Sequence, residues 1–305
     1  MNNWNKLLIF ILVILFFRYI YLKFTCSSVN VMFGNNHARE GFSQKERFVL
    51  KRNAETYDDF YVDLYDELHV PSKRAKSETM QIIQMTQPSK EYSVFLDIGS
   101  GTGHLMNELQ NEGYNVFGID KSSSMVKTCE KTFPNTKSTV GDIMDPMAFE
   151  QYTFTHILCL YFTIYEIEDK TTFFRHCYSW IKSGGYLFLH LVNPEQFNSI
   201  IPGGRPWFVK HKTIPSEISN TEIDFVDFKY NGAYQNRKEN EVTLVETFTD
   251  SKTGNVRQNE RNLHMESIES ILEKAKMCGF ILHGQVNYQY PEDPSQYLII
   301  LERSN

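Results

Sequence analysis

Residues 94–103 constrain this chain more than any other stretch. Val94, Phe95, Leu96, Asp97 and Ile98 read as a strand, and Gly99, Ser100, Gly101, Thr102 and Gly103 follow at once. Glycine is needed where the backbone turns with positive φ or meets a ligand at contact distance, so this spacing reads as a ligand-binding loop. Residues 104–110 are helix-compatible, which makes the loop a strand-to-helix junction.

The next strand-like run, residues 114–119, ends on Asp120. It falls about 20 residues beyond the first glycine, the separation at which a carboxylate reaches both hydroxyls of a nucleotide ribose. Two ligands share that geometry. A dinucleotide site would carry G-x-G-x-x-G with a pyrophosphate on the helix N-terminus. Here the spacing is G-x-G-x-G, with Asp97 two residues before the first glycine. A carboxylate there would repel a pyrophosphate but suits a ligand carrying an ammonium group. S-adenosylmethionine has an ammonium group and no phosphate, so it is the expected cofactor. A nicotinamide-dependent oxidoreductase and a non-catalytic scaffold are the rival readings.

On these residues the chain resembles the class I S-adenosylmethionine-dependent methyltransferases, and the resemblance runs over residues 53–191. Asp120, Lys121, Ser122, Ser123, Ser124 and Met125 resemble the family's second motif, which implies Asp120 on the ribose and Met125 near the adenine. Gly141, Asp142 and Ile143 resemble the third, whose acid approaches the adenine amino group. Residues 155–160, ending on Leu160, lead into Tyr161-Phe162-Thr163-Ile164-Tyr165 at the place of the fourth motif. Residues 181–189 resemble the family's L-K-P-G-G turn into strand five, with Ser183 for the proline. The resemblance implies a cofactor site made of Asp97, Gly99, Ser100, Gly101, Gly103, Asp120, Lys121, Met125, Asp142, Ile143 and Leu160.

Strand patterns near 93–98, 115–120, 137–141, 155–160 and 186–191 alternate with helical ones. That alternation predicts a doubly wound α/β fold with a mostly parallel sheet. A helix near 268–276 and strands near 280–288 and 296–302 would complete seven strands with a terminal hairpin. Residues 193–264 break the pattern: a Pro- and Gly-rich part precedes β-patterned runs at 223–230, 241–248 and 256–263. Three strands cannot bury a core alone, so an antiparallel β cap over the carboxyl ends of the sheet is expected, placed to select the substrate. Tyr57, Phe60, Tyr61, Leu64, Tyr65 and Leu68 recur at helical spacing before Val70 and Pro71. The stripe either packs a core or, as the resemblance implies, covers the cofactor.

Residues 7–17 are an unbroken apolar run, and Tyr19, Ile20, Tyr21 and Leu22 extend it past Arg18. With Trp4 and Phe24 such a helix reaches about 30 Å, enough to span if Arg18 and Lys23 snorkel. A retained anchor over residues 1–24 is expected, with a cleaved signal peptide and a buried helix as rivals. Arg18, Lys23, Arg39, Lys45 and Arg47 follow the run while only Lys6 precedes it, which puts the catalytic domain in the cytosol of a single-pass protein. The organisation read from sequence is an anchor (1–24), a linker (25–52), the cofactor-binding core (53–192), the cap (193–264) and the closing helix and hairpin (265–305).

The net charge of −6 offers no basic surface for nucleic acid, and five scattered cysteines without a C-x-x-C pair read as reduced thiols. No Cys/His cluster has metal-ligand spacing. Transfer of a methyl group asks mainly for alignment and exclusion of water, with a base only where the acceptor is protonated. His190 and Tyr161 are the candidate catalytic groups, near the carboxyl ends of strands five and four, with Glu166, His211 and Glu246 behind them. Tyr65, Tyr165 and Trp207 are candidates for enclosing a small-molecule acceptor.

Overall fold

In the computed structural model the described residues are 45–196, 220–238, 240–289 and 292–304, with the strand Val29–Met32 and the single residues Trp4 and Phe16. The strands in chain order are β1 (Val29–Met32), β2 (Phe48–Arg52), β3 (Val94–Ile98), β4 (Asn115–Asp120), β5 (Lys137–Val140), β6 (Phe154–Cys159), β7 (Ile181–Val192), β8 (Asn220–Asp224), β9 (Phe228–Lys238), β10 (Glu241–Asp250), β11 (Val256–His264), β12 (Phe280–Gln289) and β13 (Glu292–Arg303). The helices are α1 (Asp59–His69), α2 (Pro71–Thr86), α3 (His104–Asn111), α4 (Ser123–Thr132), α5 (Lys170–Trp180) and α6 (Ile268–Met277).

Seven strands form the main sheet in the order β12-β13-β7-β6-β3-β4-β5. Strands β3 to β7 pair in parallel, and β13 runs antiparallel to both β7 and β12. The chain leaves β3 toward β4 on one side and returns to β6 on the other, so a switch point lies at the carboxyl end of β3. Both faces are covered, which is why these strands read as apolar runs. Leu96, Ile157, Leu187 and Leu189 pack under Phe173, Phe174 and Trp180 of α5, while Phe95, Leu158 and Phe188 pack under Ile82 of α2 and Met106 and Leu109 of α3. The seven-stranded doubly wound fold expected from the sequence is present.

The second sheet differs from the expected cap. It has six strands in the order β1-β8-β9-β10-β11-β2. The run at 223–230 is two strands, because Phe225 N–H donates to Phe228 O at 2.9 Å and reverses the chain between β8 and β9. The stretch 25–52, read as a linker, supplies β1 and β2, each pairing in parallel at an edge, so the sheet is mixed rather than antiparallel. Its inner face meets α1: Tyr61, Leu64 and Leu68 pack against Ile223, Phe228, Tyr230 and Phe248. The expected anchor helix at 1–24 falls almost wholly outside the described residues. Among the described residues no helix is long and apolar enough to cross a membrane.

Helix α1 starts on Asp58, whose carboxylate accepts from Tyr61 N–H at 3.3 Å and so caps the first turn. The buried Arg257 of β11 grips the same carboxylate with both Nη atoms, at 2.9 and 3.0 Å. Val70 ends α1 at φ 46° and leads into Pro71 at the first position of α2, where a missing N–H costs nothing. Losing the Arg257 fork removes hydrogen bonds to a charged group that join cap and helix. Arg257→Ala should therefore lower unfolding stability by about 2 kcal/mol. Urea titration reads this as a lower midpoint at unchanged slope, and an unaltered midpoint would remove Arg257 from the account.

Candidate functional site

At the carboxyl ends of β3, β4 and β6, beneath α1 and β11, lies a cavity of about 740 Å³. A narrower pocket of about 50 Å³ lies toward α2. Tyr65, Gly99, Gly101, Tyr161 and Thr163 line both, so the two form one track divided by the glycine loop and Tyr161.

The loop explains its own composition. Gly99 stands at φ +69°, and a Cβ there would meet Thr163 at 2.7 Å. Gly101 stands at φ +52° with nothing nearer than 3.9 Å to a Cβ, so its backbone faces open space that a ligand can fill. Gly101 N–H donates to one oxygen of Asp120 at 2.9 Å and Ser122 N–H to the other at 2.8 Å. Each oxygen keeps a lone pair, enough for two hydroxyl groups. Ser122 caps α4 through Met125 N–H and donates from its hydroxyl to Tyr57 O at 2.6 Å, binding this corner to the segment before α1.

The narrow pocket is built of buried charge. Asp97 is buried, and burial pushes its carboxyl well above the ordinary range, with Glu78 and Asp120 adding to the rise and Arg74 opposing it. Glu78 is also raised by burial, and Arg74 Nε lies 3.5 Å from it. Two carboxylates and one guanidinium match a zwitterionic end that brings an ammonium and a carboxylate. They do not match a pyrophosphate. The residues present therefore fit S-adenosylmethionine: the ribose at Asp120, the adenine side at Met125 and Ile143, and the amino-acid end among Asp97, Glu78 and Arg74.

Helix α1 closes the track from above. Asp66 accepts from Thr102 Oγ1 at 2.7 Å and from His104 at 2.8 Å, latching the helix to the glycine loop. Below it Tyr61 donates to Glu246 at 2.9 Å, as does Tyr230, and Arg261 donates to Glu246 at 3.0 Å and to the Tyr61 oxygen at 2.8 Å. His69 joins Tyr61 at 3.1 Å to Tyr161 at 2.9 Å. The Tyr57 hydroxyl bonds Glu166 and Arg261 at the cavity wall. Tyr161 and Phe162 both adopt positive φ, 47° and 69°, directly after β6. Two adjacent left-handed non-glycine residues cost about 1–3 kcal/mol each and persist only where the surroundings impose them.

The structure gathers most residues singled out from the sequence. Gly99, Gly101, Asp120, Lys121, Met125, Ile143, Tyr65 and Tyr161 line the large cavity, and Asp97, Ser100, Gly103 and Leu160 line the narrow one. Asp142 stands at the rim between the lining residues Gly141 and Ile143, paired with Lys121 at 3.1 Å. His190 and Tyr165 line neither. The pleat of β7 turns His190 into the core, where it stacks on Tyr288 at 3.9 Å and bonds Gln296 at 2.9 Å, and burial pulls it down to about 3. The expectation of His190 as a catalytic group gives way to a packing role. Tyr165 is likewise buried, its oxygen accepting from Val192 N–H at 2.8 Å, so the substrate role expected for it becomes a tie between the turn after β6 and the end of β7. Trp207 and His211 lie outside the described residues. The sequence reading passed over His69, Arg74, Glu78 and Arg261. The i, i+4 pair of Arg74 and Glu78, in line with Pro71, Ala75 and Ile82 of the same helix, was the available signal for two of them.

Comparison with known proteins agrees with this geometry. Residues 95–185 match a family described as Methyltransferase domain. Putative methyltransferase 235L of Invertebrate iridescent virus 6 is 33% identical over 96 residues, 31% of this chain and 35% of that protein. The chain spans between 35% and 62% of the length of the curated relatives it matches. Among solved structures, the CcbJ methyltransferase of Streptomyces caelestis superposes with a TM-score of 0.64 at 14% identity, covering 82% of this chain and 98% of its own. The sugar N-methyltransferase KedS8 of Streptoalloteichus sp. does so with a TM-score of 0.57 at 16% identity, covering 80% and 92%. The strand order, the acid and glycine loop at its switch point and the domain match converge: residues 95–185 carry a methyltransferase domain, on the fold shared with solved S-adenosylmethionine-dependent methyltransferases.

Proposed function

We propose that this protein methylates a small-molecule acceptor held between the main sheet and the second sheet. The observation that carries this reading is the divided track, with groups complementary to a ribose and a zwitterion on the loop side and an aromatic, polar chamber beyond Tyr161. Bound S-adenosylmethionine would supply an electrophilic methyl group on a sulfonium sulfur. The chain's own residues bind, orient and keep water out. Asp120 holds the ribose hydroxyls, Asp97 and Glu78 face the ammonium, and Arg74 faces the carboxylate. Tyr57 and Tyr65 of the α1 region and Arg261 of β11 roof the chamber. The cavity of about 740 Å³ has to take the ribose and adenine of the cofactor as well as the acceptor, which favours a metabolite over a macromolecule. The fold shared with a sugar N-methyltransferase supports the same class of acceptor. The apolar run at 7–17 and the basic residues after it support attachment to a membrane through the N-terminal segment, with the catalytic domain in the cytosol.

Three outcomes follow from this reading. Asp120→Ala removes a charged acceptor of two hydrogen bonds and should weaken S-adenosylhomocysteine binding by about 10- to 100-fold in calorimetry. Unchanged affinity would refute the ribose assignment. Asp97→Asn should weaken the same binding while stabilising the ligand-free protein at alkaline pH. A carboxyl whose folded pKa is raised binds its proton more tightly in the fold, so its contribution favours the fold in acid and is lost as pH rises from about 4 through the raised value. The gain in urea midpoint for Asp97→Asn should accordingly be large at pH of about 8 and shrink toward pH of about 5. A pH-independent gain would show that Asp97 is not the titrating group. Deleting residues 1–24 should release into the soluble fraction a protein that still binds S-adenosylhomocysteine, and full-length chain recovered without detergent would count against the anchor.

A further inference from the structure

The buried cluster around Arg261 does not balance in charge. Its guanidinium lies 3.0 Å from Glu246 and 3.6 Å from Glu166, so one cation faces two carboxylates. The remaining members are neutral. Burial, opposed by Arg261, keeps Tyr57 and Tyr61 well above the ordinary tyrosine range, burial keeps Tyr230 there as well, and burial pulls His69 well below the histidine range. One negative charge is left in excess, and the packing decides where it stands. Glu246 is fully enclosed, with Tyr61 and Tyr230 on one oxygen and Arg261 on the other. Glu166 lines the cavity with its side chain 34% exposed.

Glu166 is held as well as charged. It closes the short turn Thr163–Glu166 after β6. Its Oε1 takes the Tyr57 hydroxyl and faces Arg261, so both contacts with the wall fall on one oxygen. Oε2 has no hydrogen-bond partner among the described residues. Burial raises the Asp120 carboxyl and the charge of Glu166 adds to that rise, so the two acids act on one space. Glu168 and Asp169, next in the lining, add further negative charge, and the lining's Lys121 is paired with Asp142 at 3.1 Å.

We infer that the acceptor is an amine whose ammonium form binds Glu166 and supplies the cation the cluster lacks. Resting on the methyl-transfer reading, this assigns the reaction as N-methylation. Oε2 accepts the N–H hydrogen bond, and then the proton that the nitrogen sheds to become a nucleophile, the electron pair of the N–H bond staying on nitrogen. An alcohol of the same shape brings a donor and no charge, so the excess stays uncompensated and the alcohol binds more weakly. The sulfonium of the methyl donor is the rival for this charge, and binding measurements separate the two.

Full-length protein saturated with S-adenosylhomocysteine, whose sulfur is uncharged, is titrated in a calorimeter at neutral pH with matched pairs: benzylamine and benzyl alcohol, glucosamine and glucose, ethanolamine and ethylene glycol. In at least one pair the amine should bind about tenfold or more tightly than the alcohol. Glu166→Gln, which keeps the shape and removes the charge, should bring that pair to within about twofold and leave S-adenosylhomocysteine affinity within the same factor of the wild type. Binding of no amine, equal binding of both members of every pair, or a preference that survives Glu166→Gln overturns the proposal. So does a Glu166→Gln protein that loses affinity for S-adenosylmethionine relative to S-adenosylhomocysteine and keeps its affinity for the amine, because the charge then serves the sulfonium. Failure of the methyl-transfer reading is separately visible as absent S-adenosylhomocysteine binding in the unaltered protein.

Discussion

The buried pair of Arg261 and Glu246, on the adjacent strands β11 and β10 of the second sheet, anchors the network that ties this sheet to α1 and the cavity wall. Both side chains are buried, Glu246 fully, and neither charge could stay there without the other. The pair is joined by groups from elsewhere in the chain: Tyr61 of α1, Tyr230 of β9, and Tyr57 with Glu166 at the cavity wall. Placing the guanidinium under α1 decides where that helix lies. The helix in turn carries Asp66 onto the glycine loop and His69 onto Tyr161. The roof of the site is thus set by a polar network, while the floor is set by the apolar core of the parallel sheet.

The floor holds charge of a different kind. Asp97, Glu78 and Asp120 sit within one region, and burial raises all three above the ordinary carboxyl range. Such a cluster opposes folding of the empty protein and favours a ligand bearing positive charge, so stability and affinity pull in opposite directions at the same atoms. The left-handed backbone at Tyr161 and Phe162 belongs to the same pattern of local cost at the place where chemistry is expected.

Some elements were legible because their cause is local. The strand from Val94 to Ile98 is buried on both faces, so its sequence is apolar apart from the acid that faces the site. Gly99 and Gly101 announce themselves because only glycine takes those φ values cheaply. Strand β11 was harder to read. Its sequence, VRQNERNLH, suggests a solvated strand, yet Arg257, Asn259 and Arg261 are buried. Their partners Asp58, Tyr57 and Tyr61 stand about 200 positions away in the chain. Likewise β2 looked like linker because a five-residue edge strand becomes one only when β11 offers an open edge.

The two histidines draw the line between the levels. The sequence reading singled out His190 at the end of a core strand and passed over His69 at the end of a helix. Which one meets the site depends on what packs around each: Tyr288 and Gln296 enclose His190, while Tyr61 and Tyr161 bracket His69. Sequence alone determined the doubly wound sheet, the glycine loop and the methyltransferase domain at 95–185, because these follow from local backbone demands and from the period of apolar burial. Only the tertiary structure decided the six-stranded second sheet, the amphoteric pocket of Arg74, Glu78 and Asp97, and the orientation of Tyr161. Each of those depends on charges and hydrogen bonds between segments that no local pattern connects.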